Sequence, residues 1–118
     1  MIFNSLVEGM AFVENFSKEY QIDEPHAYKL NLIAEELITN IFKHTDAQEY
    51  ELIVKPKEHI YLQINYLSPY FNSAIQKPQS KDVKDLPYGG LGLFLVKKMA
   101  LEFHHSYKDG RNIFELTL

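Results

Sequence analysis

Three closely spaced glycines, Gly89, Gly90 and Gly92, stand directly before a stretch with helical periodicity. Because glycine has no Cβ, it lets the backbone approach a ligand closely and adopt positive φ. The start of a helix adds unpaired N–H groups and a partial positive charge, which together favour a bound phosphate. The segment matches neither the GxxxxGK[ST] nor the GxGxxG pattern. The glycines therefore predict either a phosphate cradle or a loop packed tightly under a helix.

A second group of polar residues lies within a predicted helix. Glu36, Asn40 and His44 are spaced four residues apart and so share one helix face. A carboxylate and an amide oxygen one turn apart suit Mg²⁺ ligation and the orientation of a nucleophile. The alternative is a solvated polar stripe, although asparagine inside a helix costs about 0.6 kcal/mol relative to alanine.

Two amphipathic helices are predicted to precede the strands. The first covers residues 5–20 and begins at Ser5, which has a glutamate three residues later in the spacing of a capping box. The second covers residues 26–44, with Asp23 as a cap and Pro25 where a first turn tolerates it. Its apolar residues follow helical spacing along one face: Leu30, Ile33, Ala34, Leu37, Ile38 and Ile41.

Two β-rich segments follow, at residues 49–55 and 59–66. The second alternates with period two, which predicts a strand with one apolar and one polar face. Ile60, Leu62, Ile64 and Tyr66 share the apolar face, and Tyr61, Gln63 and Asn65 share the polar one. Such alternation is typical of an antiparallel sheet covered on one side only.

Residues 67–88 show neither helical nor period-two spacing of apolar residues, and they contain three prolines. A loop of about 20 residues in a compact domain is usually a lid or a disordered segment. A third helix is predicted from the glycines to Phe103. Strands at residues 105–108 and 112–118 are expected to pair as a hairpin about an Asp-Gly turn.

These elements predict one domain over residues 1–118, of the α+β class. We expect a two-layer α/β sandwich with three helices on one face of a mainly antiparallel four-stranded sheet. With 118 residues, 46% apolar and 24% charged, the composition is that of a globular protein. The net charge of −4 disfavours nucleic acid as the main ligand. No apolar run is long enough for a bilayer, no secretory signal is evident and cysteine is absent, so we expect a cytoplasmic protein.

The motifs together resemble a known family. EELITNIFKH at residues 35–44, GGLGLFLVKKM at 89–99 and the closing DGRNIFELTL are similar in order and spacing to the GHKL, or Bergerat-type, ATPases. The group they resemble most is the bacterial anti-sigma-factor serine kinases and their relatives. The resemblance covers nearly the whole chain and implies an ATP pocket between helices and sheet, with residues 67–88 as a lid over the nucleotide.

The resemblance also implies roles for single residues. Asn40 matches the asparagine that coordinates Mg²⁺, and Glu36 matches the general base that draws a proton from a serine hydroxyl or water attacking the γ-phosphate. Phosphoryl transfer needs mostly positioning and charge neutralisation, so a short set of residues can suffice. Thr117 matches a hydroxyl near adenine. The segment expected to line the phosphates consists of Gly89, Gly90, Leu91, Gly92 and Leu93.

The sequence departs from the family pattern in two places. Where the family has an Asp-x-Gly box whose aspartate reads the adenine amino group, this chain has Tyr66-Leu67-Ser68. Period-two alternation places Tyr66 inward and Asn65 outward, so Tyr66 is expected to stack on the base or to fill its space. The N-terminal strand common in the family is not predicted. That strand often supports dimerisation, so a homodimer stays open.

We therefore expect an ATP-binding regulatory protein of the anti-sigma type. It would transfer the γ-phosphate of ATP to a partner protein, an anti-sigma-factor antagonist, or sequester a sigma factor. The alternative is a non-catalytic protein-interaction module on the same fold with weak or lost nucleotide binding. A detached histidine-kinase catalytic domain is a third reading, less favoured because the chain is short and shows no phosphoacceptor helix.

Overall fold

The computed structural model describes residues 1–69 and 90–118. Within them the chain forms three helices, which are α1 (Leu6–Glu19), α2 (Glu24–His44) and α3 (Gly90–Met99). It also forms five strands, which are β1 (Ile2–Phe3), β2 (Tyr50–Pro56), β3 (Ile60–Leu67), β4 (Glu102–Lys108) and β5 (Arg111–Thr117). None of the described helices is both long and apolar enough to cross a membrane.

The starts of α1 and α2 follow the predicted capping chemistry. The Ser5 hydroxyl oxygen accepts a hydrogen bond from the Glu8 N–H at 3.2 Å. The Asp23 carboxylate accepts one from the His26 N–H at 2.9 Å. Each bond satisfies an N–H that a helix start leaves without an intrahelical partner. Pro25 lies in the first turn of α2, which begins two residues earlier than predicted.

The strands form one antiparallel sheet in the order β1-β2-β3-β5-β4. The α+β fold class is confirmed, but the prediction of four strands was wrong. The N-terminal strand expected to be missing is present as β1, where Ile2 pairs with Glu51 and Phe3 with Tyr50. Two residues are too few to show period-two alternation, so the sequence pattern could not reveal this strand.

The third helix is shorter than predicted. It ends at Met99, and Phe103 lies in β4 opposite Leu116 rather than on the helix. The N–H of Leu101 donates to the carbonyl oxygen of Thr117 at 2.8 Å, so the chain joins the sheet directly after the helix. Pairing with β5 therefore overrides the helical spacing of the apolar residues.

The core lies between the helices and one face of the sheet. That face carries Leu52, Leu62, Ile64, Phe114 and Leu116, each at most 4% exposed. The apolar stripe predicted for α2 packs against them and is buried at all six positions. This arrangement confirms a two-layer sandwich.

The other face of the sheet carries the polar side chains of β3. Tyr61 donates to Glu115 at 2.7 Å, Gln63 donates to Tyr61 at 2.9 Å, and Asn65 donates to Gln63 at 2.8 Å. Arg111 then donates to the Asn65 oxygen at 2.8 Å. Asn65 therefore points away from the helices, and its neighbour Tyr66 is buried on the helical side.

The turn between β4 and β5 is the predicted Asp-Gly hairpin. Asp109 has φ 53° and Gly110 has φ 77°. Positive φ at both central residues defines the type I′ turn, whose twist matches that of paired strands. This turn fixes the register in which β5 presents Asn112, Phe114 and Leu116 to the helices.

Candidate functional site

A small cavity lies where the second half of α2, the first turn of α3 and the inner face of β3 and β5 meet. Its volume is about 20 Å³. That is room for about one water molecule. Its walls combine four apolar with three polar side chains: Leu37, Asn40, Thr45, Ile64, Tyr66, Leu93 and Phe114.

The α2 side of the cavity carries a side-chain amide, from Asn40, and a hydroxyl group, from Thr45. Asn40 lies beside the buried stripe of α2 and is half-buried. The Thr45 hydroxyl donates to the carbonyl oxygen of Ile41 at 2.6 Å and accepts from the Ala47 N–H at 3.1 Å. These two bonds fix the end of α2, and with it the position of Asn40 one turn earlier.

Three nearly parallel rings lie in a row on the sheet side of the cavity, and two of them line it. Tyr66 and Phe114 have centroids 6.2 Å apart and planes 15° apart. Phe114 and His105 are closer, with centroids 4.3 Å apart and planes 7° apart. The row crosses β3, β5 and β4 in that order, so the three rings form one stacked layer. Tyr66 and Phe114 of this layer line the cavity. Burial raises the pKa of the Tyr66 phenol to about 12, so the phenol keeps its proton at neutral pH.

A fully buried asparagine holds the end of β3 against this layer. The side-chain N–H groups of Asn112 donate to the carbonyl oxygens of Pro69 at 2.9 Å and Ser68 at 3.4 Å. Its oxygen then has to accept the 2.9 Å bond from His105 Nε2, so a neutral His105 carries its proton on that nitrogen. Asn112 therefore connects β4, β5 and the residues that follow β3.

Burial lowers the pKa of His105, and the positive charge of Lys97 acts in the same direction, while the hydrogen bond to Asn112 opposes both. Lys97 reaches over β4, with its ammonium 5.1 Å from the centre of the Phe103 ring. Burial lowers the pKa of Lys97 as well. Burial and the charge of Lys43 lower the pKa of His44, at the end of α2.

These shifts predict that stability falls on mild acidification. Below the ordinary histidine pKa of 6.5 the unfolded chain binds protons that the folded chain resists, so the free energy of unfolding decreases as the pH is lowered. We expect His105→Gln, which can still donate to Asn112, to reduce the loss of stability between about pH 7.5 and about pH 5. Urea midpoints at both pH values measure it. His104→Gln, on the exposed neighbouring position, is the control, and an equal effect of both variants would contradict the assignment to His105.

The structure brings together three of the residues that the sequence singled out. Asn40, Tyr66 and Leu93 line the same cavity. Glu36 is half-buried one turn before Asn40 and is not among the lining residues. Gly90 begins α3 and Gly92 lies in its first turn, next to Leu91. Gly89 and the greater part of the predicted lid, 67–88, lie outside the described residues.

Thr117 lies away from the cavity. It alternates with the buried Leu116 and pairs with Tyr61, so it belongs to the polar face of the sheet. Sequence reasoning also missed four lining residues: Leu37 and Ile64 were predicted only as apolar residues of the core, and Thr45 and Phe114 were not singled out. Strand parity alone puts Phe114 on the same face as Leu116, but only the pairing of β5 with β3 sets it beside Tyr66.

The donor set suits a magnesium ion that arrives with a nucleotide. Among the described residues no three histidine, cysteine, aspartate or glutamate side chains come together as a metal site. Mg²⁺ characteristically keeps several waters and binds through one or two protein oxygens together with substrate phosphates. The amide oxygen of Asn40 suits such a partial ligand, and the start of α3 supplies N–H groups for phosphate oxygens.

Comparison with known proteins identifies the family of the chain. The model of the histidine kinase-like ATPase domain family matches residues 4–118, nearly the whole chain. Among solved structures, a chain in the crystal structure of the SiaB–SiaC complex from Pseudomonas aeruginosa has a similar fold, with a TM-score of 0.66 and 16% sequence identity. The match covers 99% of this chain and 88% of that one. No curated protein sequence matches significantly. The chain therefore belongs to the histidine kinase-like ATPase domain family.

Proposed function

We propose that this protein binds Mg-ATP at the cavity between α2, α3 and the sheet and acts as a regulatory protein of the anti-sigma type. The observation that supports this most is that Asn40 of α2 and Leu93 of α3 line one cavity. An amide oxygen for the metal and a helix start for the phosphates are therefore adjacent, in a chain of an ATPase family.

Glu36 is the proposed general base. Its carboxylate lies one turn from Asn40 on the same side of α2, so it can approach a hydroxyl aligned with the γ-phosphate. In the proposed step a serine hydroxyl of a partner protein gives its proton to Glu36. The serine oxygen bonds to the γ-phosphorus and the bond to the ADP oxygen breaks. ATP supplies the phosphoryl group, and the protein supplies position and charge neutralisation.

A protein partner is proposed because the similar solved structure is itself a complex of two proteins. The partner would be an anti-sigma-factor antagonist that accepts phosphate, or a sigma factor that is sequestered. A second copy of the chain is a further candidate, since β1 places a short strand at one edge of the sheet.

Calorimetric titration with Mg-ATP tests the nucleotide claim. We expect saturable heat from the wild-type protein at up to millimolar ATP, and no heat would remove that claim. If ATP binds, an assay for transfer of labelled γ-phosphate to a co-purified partner distinguishes a kinase from a non-catalytic interaction module. Transfer should be lost in Glu36→Gln and kept in Glu35→Gln, the exposed neighbouring carboxylate.

The second candidate, a non-catalytic interaction module, is favoured by the size of the cavity. Room for one water does not admit a purine ring without movement of side chains. Binding of a partner that is independent of ATP, together with absence of phosphate transfer, would support this alternative.

A further inference from the structure

An open cleft lies beside the end of β3, outside the candidate nucleotide site. Its volume is about 330 Å³, which is within the range of small-molecule sites. It is formed by the link from α2 to β2 and the neighbouring ends of β3 and β5. The described residues that line it are Asp46, Ala47, Gln48, Glu49, Leu67 and Arg111. None of these lines the smaller cavity, so the cleft is a separate feature.

One group in the cleft is a guanidinium that the sheet holds in place. Arg111 is half-buried and donates from Nε to the side-chain oxygen of Asn65 at 2.8 Å. Asn65 is 5% exposed and is itself fixed, because its amide donates to Glu51 at 3.1 Å and to Gln63 at 2.8 Å. Within residues 1–69 and 90–118 this is the only hydrogen bond of the Arg111 side chain, so its two terminal Nη groups remain for a ligand. Their planar arrangement matches the two oxygens of a carboxylate.

The negative charges of the cleft come from the link between α2 and β2. Asp46 and Glu49 are both exposed. In the described part of the chain neither carboxylate forms an ion pair, and Arg111 forms none with them. A simple anion in the cleft would be repelled by the carboxylates, and a simple cation by the guanidinium. Opposite charges that line one cleft without pairing therefore favour a ligand that carries both charges.

An apolar surface completes the cleft. Leu67 is 58% exposed and lies directly opposite Arg111 in the pairing of β3 with β5. Ala47 of the lining is half-buried. Covering exposed apolar surface favours binding. A ligand that places an apolar side chain on Leu67 therefore gains more than one that carries the two charges alone.

We propose that this cleft binds a small zwitterion, of the class of free amino acids and dipeptides with apolar side chains. The ligand carboxylate pairs with the Nη groups of Arg111, and its ammonium group pairs with Asp46 and Glu49. Its side chain covers Leu67. The site goes beyond the proposed nucleotide site and does not depend on it, so a failure to bind ATP leaves this inference standing.

Nuclear magnetic resonance titration of the full chain with L-leucine tests the inference. We expect the Nε–H of Arg111 and the backbone amides of residues 47–49 to shift together and to saturate with a dissociation constant on the order of 1–10 mM. N-acetyl-L-leucine and L-leucinamide each keep only one of the two charges, so each should bind at least about tenfold more weakly. A parallel titration with L-leucyl-L-leucine shows whether a free amino acid or a dipeptide fits the cleft better.

The proposal fails if neither L-leucine nor the dipeptide shifts these resonances at about 50 mM, well above the expected dissociation constant. It also fails if a ligand with one charge binds as tightly as L-leucine, because the cleft would then not recognise a zwitterion. Shifts confined to residues outside the cleft would place the ligand elsewhere and would equally overturn it.

Variants on both sides of the cleft connect the binding to these residues. Arg111→Lys keeps the charge but loses the planar pair of donors, and should weaken L-leucine about tenfold. The double variant Asp46→Asn/Glu49→Gln leaves the hydrogen bonds of Asn65 intact and should weaken it by a similar factor. Lys108→Gln removes the exposed cation that pairs in register with Arg111 and should bind like wild type.

Equal weakening by Lys108→Gln and Arg111→Lys would show a general effect of charge and would contradict the assignment. Unchanged affinity of the double variant would do the same for the ammonium contact. Thermal melting of each variant without ligand confirms that it is folded.

Discussion

Replacing Gly9 with alanine is expected to lower the free energy of unfolding by about 3 kcal/mol or more, a large part of a typical total of about 5–15 kcal/mol. A Cβ built on Gly9 overlaps the hydroxyl oxygen of Tyr50 and comes within 3.0 Å of its Cζ. Tyr50 is fully buried and donates to the carbonyl oxygen of Ser5 at 2.8 Å, so its ring cannot give way cheaply. The clash should outweigh the gain in helix propensity of about 1 kcal/mol from removing a glycine. Urea unfolding measures the difference.

A second substitution shows whether Tyr50 is the cause. Tyr50→Phe removes the overlapped oxygen at the cost of one hydrogen bond, worth about 1 kcal/mol. In the Gly9→Ala background we therefore expect Tyr50→Phe to stabilise the protein, although alone it destabilises. The overlap with Tyr50 would not be the cause if the effects of the two substitutions on the free energy of unfolding were strictly additive. The same would hold if the free energy of unfolding of Gly9→Ala lay within about 0.5 kcal/mol of that of the wild type.

The second large effect is expected on ligand binding, at Asn40. Asn40→Ala removes the only side-chain amide among the described residues that line the cavity. If its oxygen ligates the metal of Mg-ATP, the loss of a polar contact to a charged group costs about 1.5–3 kcal/mol, or about tenfold to a hundredfold in affinity. Calorimetric titration with and without Mg²⁺ measures it, and the gain in affinity that Mg²⁺ gives should shrink in the variant.

Asn15→Ala is the matched control for this substitution. Asn15 is exposed on α1, so the variant should bind Mg-ATP like wild type. The melting temperature of Asn40→Ala without ligand separates a binding effect from a folding effect. Equal affinities for Asn40→Ala and Asn15→Ala would remove Asn40 from the proposed site.

The sequence predicted the parts of the fold that local patterns encode. The capping residues Ser5 and Asp23, the buried stripe of α2 and the Asp-Gly turn each depend on residues close together in the chain, and each is found. The strand β1 and the end of α3 depend instead on pairing with distant segments. The bond from the Leu101 N–H to Thr117 shows why helical spacing around Phe103 was misleading.

The residues of the candidate site show the same difference between local and long-range information. Asn40 and Tyr66 were found from spacing and parity, which act within one helix or one strand. Asn112 was missed because its role arises only where β4, β5 and the residues after β3 meet. Thr117 was selected from a family match, but its alternation with Leu116 puts it on the far face of the sheet. Strand parity would have shown this without a structure.

The central claim is that α2 and the start of α3 hold one nucleotide between them. Nuclear magnetic resonance of the labelled protein during titration with Mg-ATP tests it most directly. We expect the side-chain amide of Asn40 and the backbone amides of Gly90 and Gly92 to shift together and to saturate with one dissociation constant. Shifts confined to residues remote from the cavity, or none at all, would contradict the account.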